Sequence, residues 1–364
     1  MTIDRDRRRH TPGRARRRLG AALLVSLALS VTAACGSQAT TGGTAAPDSP
    51  VPSTTPPPPP PPSVPWPLTG VDSAGADVGR PAVAVKIENS VVARPQTGLG
   101  TADVVWEEMV EGGISRYVAV YHSTLPPTVG PVRSVRPMDP AIAAPLHGLL
   151  AYTGGQRSFV DAVRAAGLQD VSSDSGAAGY SRVSGRAAPH NTYADPAALL
   201  AQADPGHAGA PPAQFVHAGP GEQPTAVVAG TPAGVLDLRL SRIATPRWTW
   251  SQPDGAWLRA EGATPAVEAD GTPLRATNVV VLRVDVVNTR YVDSAGNPVP
   301  ETVLVGGGEA LVATGGRTVP ATWSKGSVAD PVALTGADGG PVRLAPGTTW
   351  VELVPTATGS VIVG

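Results

Sequence analysis

Seven consecutive prolines, residues 56–62, divide the chain into a part that cannot fold and a part that can. Proline fixes φ and lacks an amide hydrogen, so the run cannot enter a helix interior or a central strand. It is expected to be a stiff polyproline II rod, rising about 3.1 Å per residue. The sequence around it, residues 35–65, is rich in Pro, Ser, Thr, Gly and Ala and holds too little apolar surface to fold. It reads as a disordered tether. Folding is left to residues 66–364, enough for two domains of ordinary size. Charged residues make up 16% of the chain and aromatics 4%, with 42 Gly and 40 Pro, which argues against a coiled coil or a helical bundle.

Upstream of the tether, residues 1–18 carry eight arginines against Asp4 and Asp6. The apolar run Leu19–Ala34 follows and ends at Cys35, the single cysteine. A basic region, a short apolar core and small residues before a cut describe a signal peptide. The run falls short of the roughly 20 residues that a permanent membrane-spanning helix needs. Ala33-Ala34-Cys35 resembles a bacterial lipobox, with Thr32 where leucine is usual. Residues 1–34 are therefore expected to be a lipoprotein signal peptide, and Cys35 the lipidated first residue of the mature chain. Arg16-Arg17-Arg18-Leu19 leaves both twin-arginine and general secretory export open. Removing 1–34 lowers Lys+Arg from 28 to 20 and Asp+Glu from 29 to 27, a mature net charge near −7. With no basic tract after residue 18, nucleic acid is not an expected partner.

Strand patterns open the folded part. In residues 82–88 Val83, Val85 and Ile87 share one face, with Lys86 and Glu88 on the other. Residues 115–122 and 149–155 read as further strands. Asp139-Pro140 is expected to open a helix as N-cap and first-turn proline, bent by Pro145. Ser158 and Asp161 suggest a capping box for a helix stopping at Gly167, and Asp195-Pro196 opens another. Residues 66–205 thus mix strands and helices. A linker is expected at 206–214, and strands dominate 215–364: residues 225–230, 247–251, 277–287, 301–306, 309–314 and 348–355. Their short spacings suggest an antiparallel sheet or barrel.

Chemistry concentrates between residues 86 and 136. Lys86, Glu88, Asn89, Arg94, Asp103, Glu107, Glu111, Arg116, Arg133 and Arg136 recur there in short Gly- and Pro-bounded segments. Asp103, Glu107 and Glu111 are spaced by four, which keeps one face on a strand and nearly one face on a helix. Three carboxylates on one face need compensating cations, here the arginines or Lys86, or a bound divalent ion. They read either as structural ion pairs or as the lining of a ligand pocket. Arg133 and Arg136 lie in Gly130-Pro-Val-Arg-Ser-Val-Arg-Pro137, a stiff loop suited to bidentate capture of phosphate or carboxylate, with the Gly130 and Ser134 amides as further donors. His190-Asn191 could orient a hydrogen bond or carry a proton. No GxSxG elbow or P-loop is present, and one cysteine without a close histidine pair excludes the usual zinc and iron–sulfur sites. No cofactor, metal or catalytic residue is assigned.

The run from Val83 to Ser123, the 130–137 loop, Gly154-Gly155 and Ala188-Pro-His-Asn-Thr-Tyr193 together resemble the YerB-like bacterial lipoproteins. The C-terminal half resembles them more loosely, through residues 278–282, 321–326 and 347–355. The resemblance implies an α+β fold: an N-terminal layered α/β sandwich domain plus a mainly antiparallel β C-terminal domain. It also implies an exported protein anchored by lipid at the outer face of the cytoplasmic membrane. It transfers no catalytic residues. The expected function is a binding module with an Arg- and carboxylate-lined pocket for an anionic or polyhydroxyl envelope component, such as a cell-wall glycan, a lipid-linked precursor or a wall protein. Two alternatives stand beside it. One is a hydrolase or transferase acting on phosphorylated or glycosidic polymers, with Glu107 and Glu111 as acid and base. The other is a scaffold for wall enzymes, presenting its Trp-rich C-terminal sheet.

Overall fold

In the computed structural model, which describes residues 63–364, the valine-rich runs become strands buried on both faces. The signal peptide, Cys35 and most of the tether lie outside the described residues. The N-terminal half supplies β1 (Val83–Glu88), β2 (Val104–Met109), β3 (Ser115–Tyr121) and β4 (Leu149–Ala151). The C-terminal half supplies β5 (Val235–Arg239), β6 (Pro246–Ser251), β7 (Ala256–Glu261), β8 (Asn278–Val292), β9 (Pro298–Val303), β10 (Gly306–Thr314), β11 (Arg317–Lys325), β12 (Thr349–Pro355) and β13 (Ser360–Val363). One large mixed sheet runs β11-β10-β8-β12-β2-β3-β1-β4, with Ala333–Thr335 and Gln169–Asp170 at its ends. A second sheet, β7-β6-β5-β13, is antiparallel throughout. The fold is α+β and mainly β, with few helices: α1 (Asp139–Ala143), α2 (Arg157–Ala165), α3 (Pro196–Leu200) and α4 (Thr225–Ala229).

Strand alternation sorts the core into two layers. Ala84, Val104, Trp106, Val118, Val280 and Leu353 face Ile142, Phe159 and Val163 of α1 and α2. Val85, Val105, Ala119, Val279 and Trp350 face Trp248, Trp257 and Leu236 of the second sheet. Helices, large sheet and small sheet therefore stack as three layers. The polar face of β1 does not meet solvent, since Lys86 and Glu88 are buried too.

Several local expectations are corrected. Residues 225–229 form α4, where a strand was expected over 225–230. Pro224 precedes it, Gly230 ends it, and Ala226 packs into the core, so tertiary context overrides the β-branched composition. Asp139 is the first helical residue, not the N-cap, and its carboxylate is engaged elsewhere. Ser158 sits inside α2, whose N-cap is Gln156, so there is no capping box. Asp195 does cap α3, accepting from the Ala197 and Ala198 amides at 2.9 and 3.2 Å. Strand β2 was not anticipated, because its adjacent glutamates disguise the pattern.

Leu353 in β12 is 1% exposed and packs in the helix-side core. Leu353→Ala is expected to cost about 2–5 kcal/mol in urea unfolding. Because β12 joins strands of both halves, tryptophan fluorescence and far-UV circular dichroism should report one coincident transition in both proteins. Separate transitions would mean that the halves fold independently.

Candidate functional site

Strands β1, β2 and β3 lie in register so that Glu88, Arg116 and Glu108 form one row across the sheet. Alternation sends Glu107 to the opposite face from Glu108. Most of the predicted site residues consequently divide into two clusters on opposite faces, rather than gathering in one hollow.

The cluster facing the second sheet is buried around Glu107 and Arg259 and reaches the surface at Arg94. Glu107 accepts hydrogen bonds from Ser115 Oγ at 2.5 Å and Asn89 Nδ2 at 3.2 Å, and pairs with Arg259 Nη2. Arg259 Nη1 reaches Glu261 Oε1 at 2.9 Å, and Arg94 Nη2 reaches Glu261 Oε2 at 3.2 Å. The Arg259 guanidinium also lies 5.1 Å from the Trp350 ring, 5.5 Å from Tyr117 and 5.7 Å from Trp248. Burial works against its charge, but Glu107 and Glu261 outweigh burial and raise its pKa. Glu352 lies opposite Glu107 in the β12–β2 register, and Trp248 Nε1 donates to it at 2.8 Å. Burial and the Glu107 charge push the Glu352 carboxyl well up, so it keeps its proton. Two guanidiniums then balance two carboxylates. Beside this cluster a hollow of about 200 Å³ is lined by Arg94, Gln96, Tyr117 and Glu261.

The helix-side cluster reaches the surface. Lys86 Nζ donates to Asp139 Oδ1 at 2.7 Å and also contacts Glu108. Burial, then the Asp139 charge, push the Glu108 carboxyl up to about 8 despite Lys86. Arg133 Nε lies 3.5 Å from Glu88 Oε2, and His190 Nδ1 lies 2.9 Å from the same oxygen. Arg136 Nη2 donates to Glu111 Oε2 at 2.8 Å. Arg116 stands among these pairs and donates Nη1 to the Ser134 carbonyl at 3.0 Å. Burial, with Arg136 and Arg133 beside it, lowers its pKa to about 10, so it remains charged.

Backbone contacts set these side chains. The Arg133 amide donates to Lys86 O, Thr153 donates to Arg133 O, and Val135 donates to Gly154 O, which fastens the 133–135 segment between β1 and the 153–155 turn. Gly154, at φ 79°, brings that turn so close that a Cβ would lie 2.8 Å from Ser134 Oγ. The Gly130 amide, expected to be a free donor, is bonded to Thr97 O at 3.0 Å.

The equal spacing of Asp103, Glu107 and Glu111 does not make a triad. Asp103 precedes β2 and accepts from the His122 and Ser123 amides at 2.6 and 2.8 Å. Glu111 follows β2 in a 3₁₀ turn that Gly112, at φ 68°, deflects toward Arg136. Glu107 and Glu111 thus belong to opposite clusters and cannot flank one scissile bond as an acid–base pair. Asn191 is apart from both, accepting from Arg182 Nη1 at 2.9 Å. Among the described residues no group of three or more His, Cys, Asp or Glu is arranged to hold a metal ion.

Two family models match the chain: "Protein of unknown function (DUF3048) N-terminal domain" over residues 68–208 and the DUF3048 C-terminal domain over 236–351. The chain belongs to the DUF3048 family. A curated relative, "Putative lipoprotein YerB" of Bacillus subtilis (strain 168), is 49% identical over 70 residues, 19% of this chain and 21% of the relative. The match therefore spans about a fifth of that relative's length. The crystal structure of YerB protein from Bacillus subtilis superposes with a TM-score of 0.67 at 21% identity, covering 82% of this chain and 99% of that one. The likeness establishes the fold shared by this DUF3048 chain and YerB.

Sequence reasoning found the cations of the helix-side cluster but missed Glu108 and Asp139. Glu108 was legible from strand alternation once β2 was recognised. Arg259 had no local motif; its only signal was a lone guanidinium in the strand sequence Ala256-Trp-Leu-Arg-Ala-Glu261.

Glu108 makes stability depend on pH. Its carboxyl titrates near 4.5 when unfolded and near 8 when folded. The folded chain holds the extra proton between these values, so this contribution is full below the lower one and declines as pH rises to the upper one. In Glu108→Gln that decline should vanish, and the urea midpoint should fall less between about pH 5 and 8 than in the parent chain. Equal slopes would place the proton elsewhere.

Proposed function

We propose that this chain is a lipid-anchored binding protein of the cell envelope, held by Cys35 at the outer face of the cytoplasmic membrane. Its recognition surface is the helix-side cluster, and its ligand is an anionic envelope component. The observation that carries this reading is charge imbalance. With Glu108 protonated, Lys86 is matched by Asp139, Arg133 by Glu88 and Arg136 by Glu111, which leaves Arg116 without a carboxylate of its own. Its Nε also lacks a hydrogen-bond partner. A guanidinium with free N–H groups favours a carboxylate or phosphate oxygen.

Two observations weigh against the alternatives. The separation of Glu107 from Glu111 removes the carboxylate pair that hydrolysis would use. The tryptophans of the C-terminal half are mostly core residues, with Trp248, Trp257, Trp323 and Trp350 all buried, so an exposed aromatic docking patch is missing. The name of the YerB relative supports the anchor. Among the described residues no helix is long and apolar enough to cross a membrane.

The full-length chain tests both parts. Cys35→Ser is expected to move the protein from the membrane fraction to the soluble fraction. Arg133→Ala with Arg136→Ala should leave it membrane-bound and folded by thermal unfolding, while capture of envelope fractions drops about tenfold or more. Unchanged capture by the double variant would overturn the anionic reading.

A further inference from the structure

The hollow beside the Glu107–Arg259 pair is built by both halves of the chain. Arg94, Pro95 and Gln96 come from the N-terminal half, and Pro265 comes from the short strand Thr264–Pro265 that pairs back on β7. The buried Tyr117 ring and Glu261 complete the lining. Its volume of about 200 Å³ equals that of roughly seven liquid waters, at about 30 Å³ each, which is room for one six-membered ring and its substituents. The walls are held in place. Arg186 Nη2 donates to Pro95 O at 2.5 Å, the Ala269 amide to Gln96 O at 2.8 Å and the Ala266 amide to Arg259 O at 3.0 Å.

The polar wall has groups to spare. Asn89 Oδ1 accepts from Arg94 Nε at 2.8 Å and from Gln96 Nε2 at 3.1 Å, so the ends of these two side chains meet at one oxygen. Gln96 Nε2 also donates to the Glu88 carbonyl at 3.0 Å, and two acceptors on one end of the carboxamide fix which end is nitrogen. Arg94 Nη2 is used by the Asn89 carbonyl at 2.9 Å and by Glu261 at 3.2 Å. Two groups are left over. Arg94 Nη1 and Gln96 Oε1 have no hydrogen-bond partner among the described residues, although Gln96 is 3% exposed. Tyr117 Oη donates to Glu261 Oε1 at 3.1 Å and keeps a lone pair for acceptance.

We propose that this hollow binds one neutral sugar ring, a hydroxyl accepting from Arg94 Nη1 and donating to Gln96 Oε1 while the C–H face of the ring lies against Pro95 and Pro265. The site is on the opposite face of the large sheet from the anion-binding surface proposed above and does not rest on it. Charge decides against an ionic ligand. Arg94 and Glu261 stand 3.2 Å apart in the lining, so an anion or a cation meets a like charge as closely as an opposite one. A zwitterion has to break that pair to use it. A hydroxyl both donates and accepts through one atom and leaves the pair intact. Several hydroxyls around a ring can serve Nη1, Oε1 and the Tyr117 oxygen together, whereas a simple amide brings one carbonyl and one nitrogen. Apolar walls carrying a few fixed polar groups are the usual build of a small-molecule pocket, and proline adds apolar surface without an N–H of its own. The ring can come from a free sugar or from the end of a glycan.

Saturation-transfer NMR titration of the full-length chain, in micelles of a detergent without a sugar head, tests the proposal with methyl glucoside, methyl galactoside and methyl mannoside at neutral pH. At least one should bind, with a Kd on the order of millimolar. Glucuronate and glucosamine, which add a negative and a positive charge, should bind about fivefold or more weakly than the best neutral ring. Arg94→Met and Gln96→Met should each weaken that ring about tenfold, with thermal unfolding as the check on folding. Gln96 is buried, so Arg94→Met, at a side chain 27% exposed, decides the matter if Gln96→Met does not fold. Binding by none of the three glycosides, tighter binding of a charged sugar, displacement of the ring by equimolar acetamide or glycine, or an affinity unchanged in Arg94→Met would overturn the proposal. Maltotriose distinguishes the sources. Affinity above that of methyl glucoside identifies a glycan end, and equal or lower affinity identifies a free sugar; either supports the proposal.

Discussion

Strand β12 hydrogen-bonds in parallel to β8 on one side and to β2 on the other, and this double pairing makes one sheet of two sequence halves. Parallel pairs are stable where both faces are covered. That requirement is met by α1 and α2 on one face and by the second sheet on the other, and all seven residues of β12 are buried. The C-terminal segment therefore completes the core begun by the N-terminal one. The two family domains are contiguous in the core: Trp106 and Leu353 belong to one apolar layer, Val105 and Trp350 to the other.

Covering both faces creates an electrostatic problem that the structure solves in two ways. The ends of β1, β2 and β3 bring charged side chains into both layers. On the second-sheet side the solution is closure. Arg259 is surrounded by carboxylates and three aromatic faces, and Glu352 holds a proton instead of a third negative charge. An uncompensated charge there would have no water to fall back on. On the helix side the cluster opens to solvent along Arg133, Arg136 and His190, while Arg116 stays buried behind them and burial lowers its pKa. The same sheet thus has one cluster whose central pair, Glu107 and Arg259, is fully buried, and on the other face one whose outer pairs are part-exposed.

How much of this could be read from the sequence depended on range. Alternation of Val83, Val85 and Ile87 located β1 and its two faces, since the period of a strand is local. It did not say that the polar face was also buried, because that depends on helices supplied some fifty residues later. The step of four from Asp103 to Glu107 to Glu111 implied a shared face only while one regular element continued. The turn at Gly112 ended β2 and sent Glu111 elsewhere. Arg259 and Glu352, which neutralise or crowd Glu107, come from distant segments with no common motif, and their convergence is a product of β12 entering the sheet. The 130–137 segment was legible as a proline-bounded loop, but the bond from the Gly130 amide to Thr97 O, which takes away an expected donor, depends on a segment thirty residues earlier.

Placement on the sheet also decides how a surface cluster can bind. Arg116 projects from β3, whose backbone is tied to β1 on one side and β2 on the other, and Arg133 lies on a segment bonded to both β1 and the 153–155 turn. Little conformational freedom would remain to be lost if an anion bound there as proposed, which is the cost that weakens binding by flexible arginines. An anion site of this size, as proposed, would still offer few contacts in free solution. The proposed tether changes the terms. A domain held at the membrane through Cys35, as proposed, would meet a neighbouring envelope ligand at an effective concentration set by tether length rather than by bulk supply. Weak, selective and rapidly reversible recognition is then sufficient, and a preorganised charge cluster on a rigid sheet is suited to it.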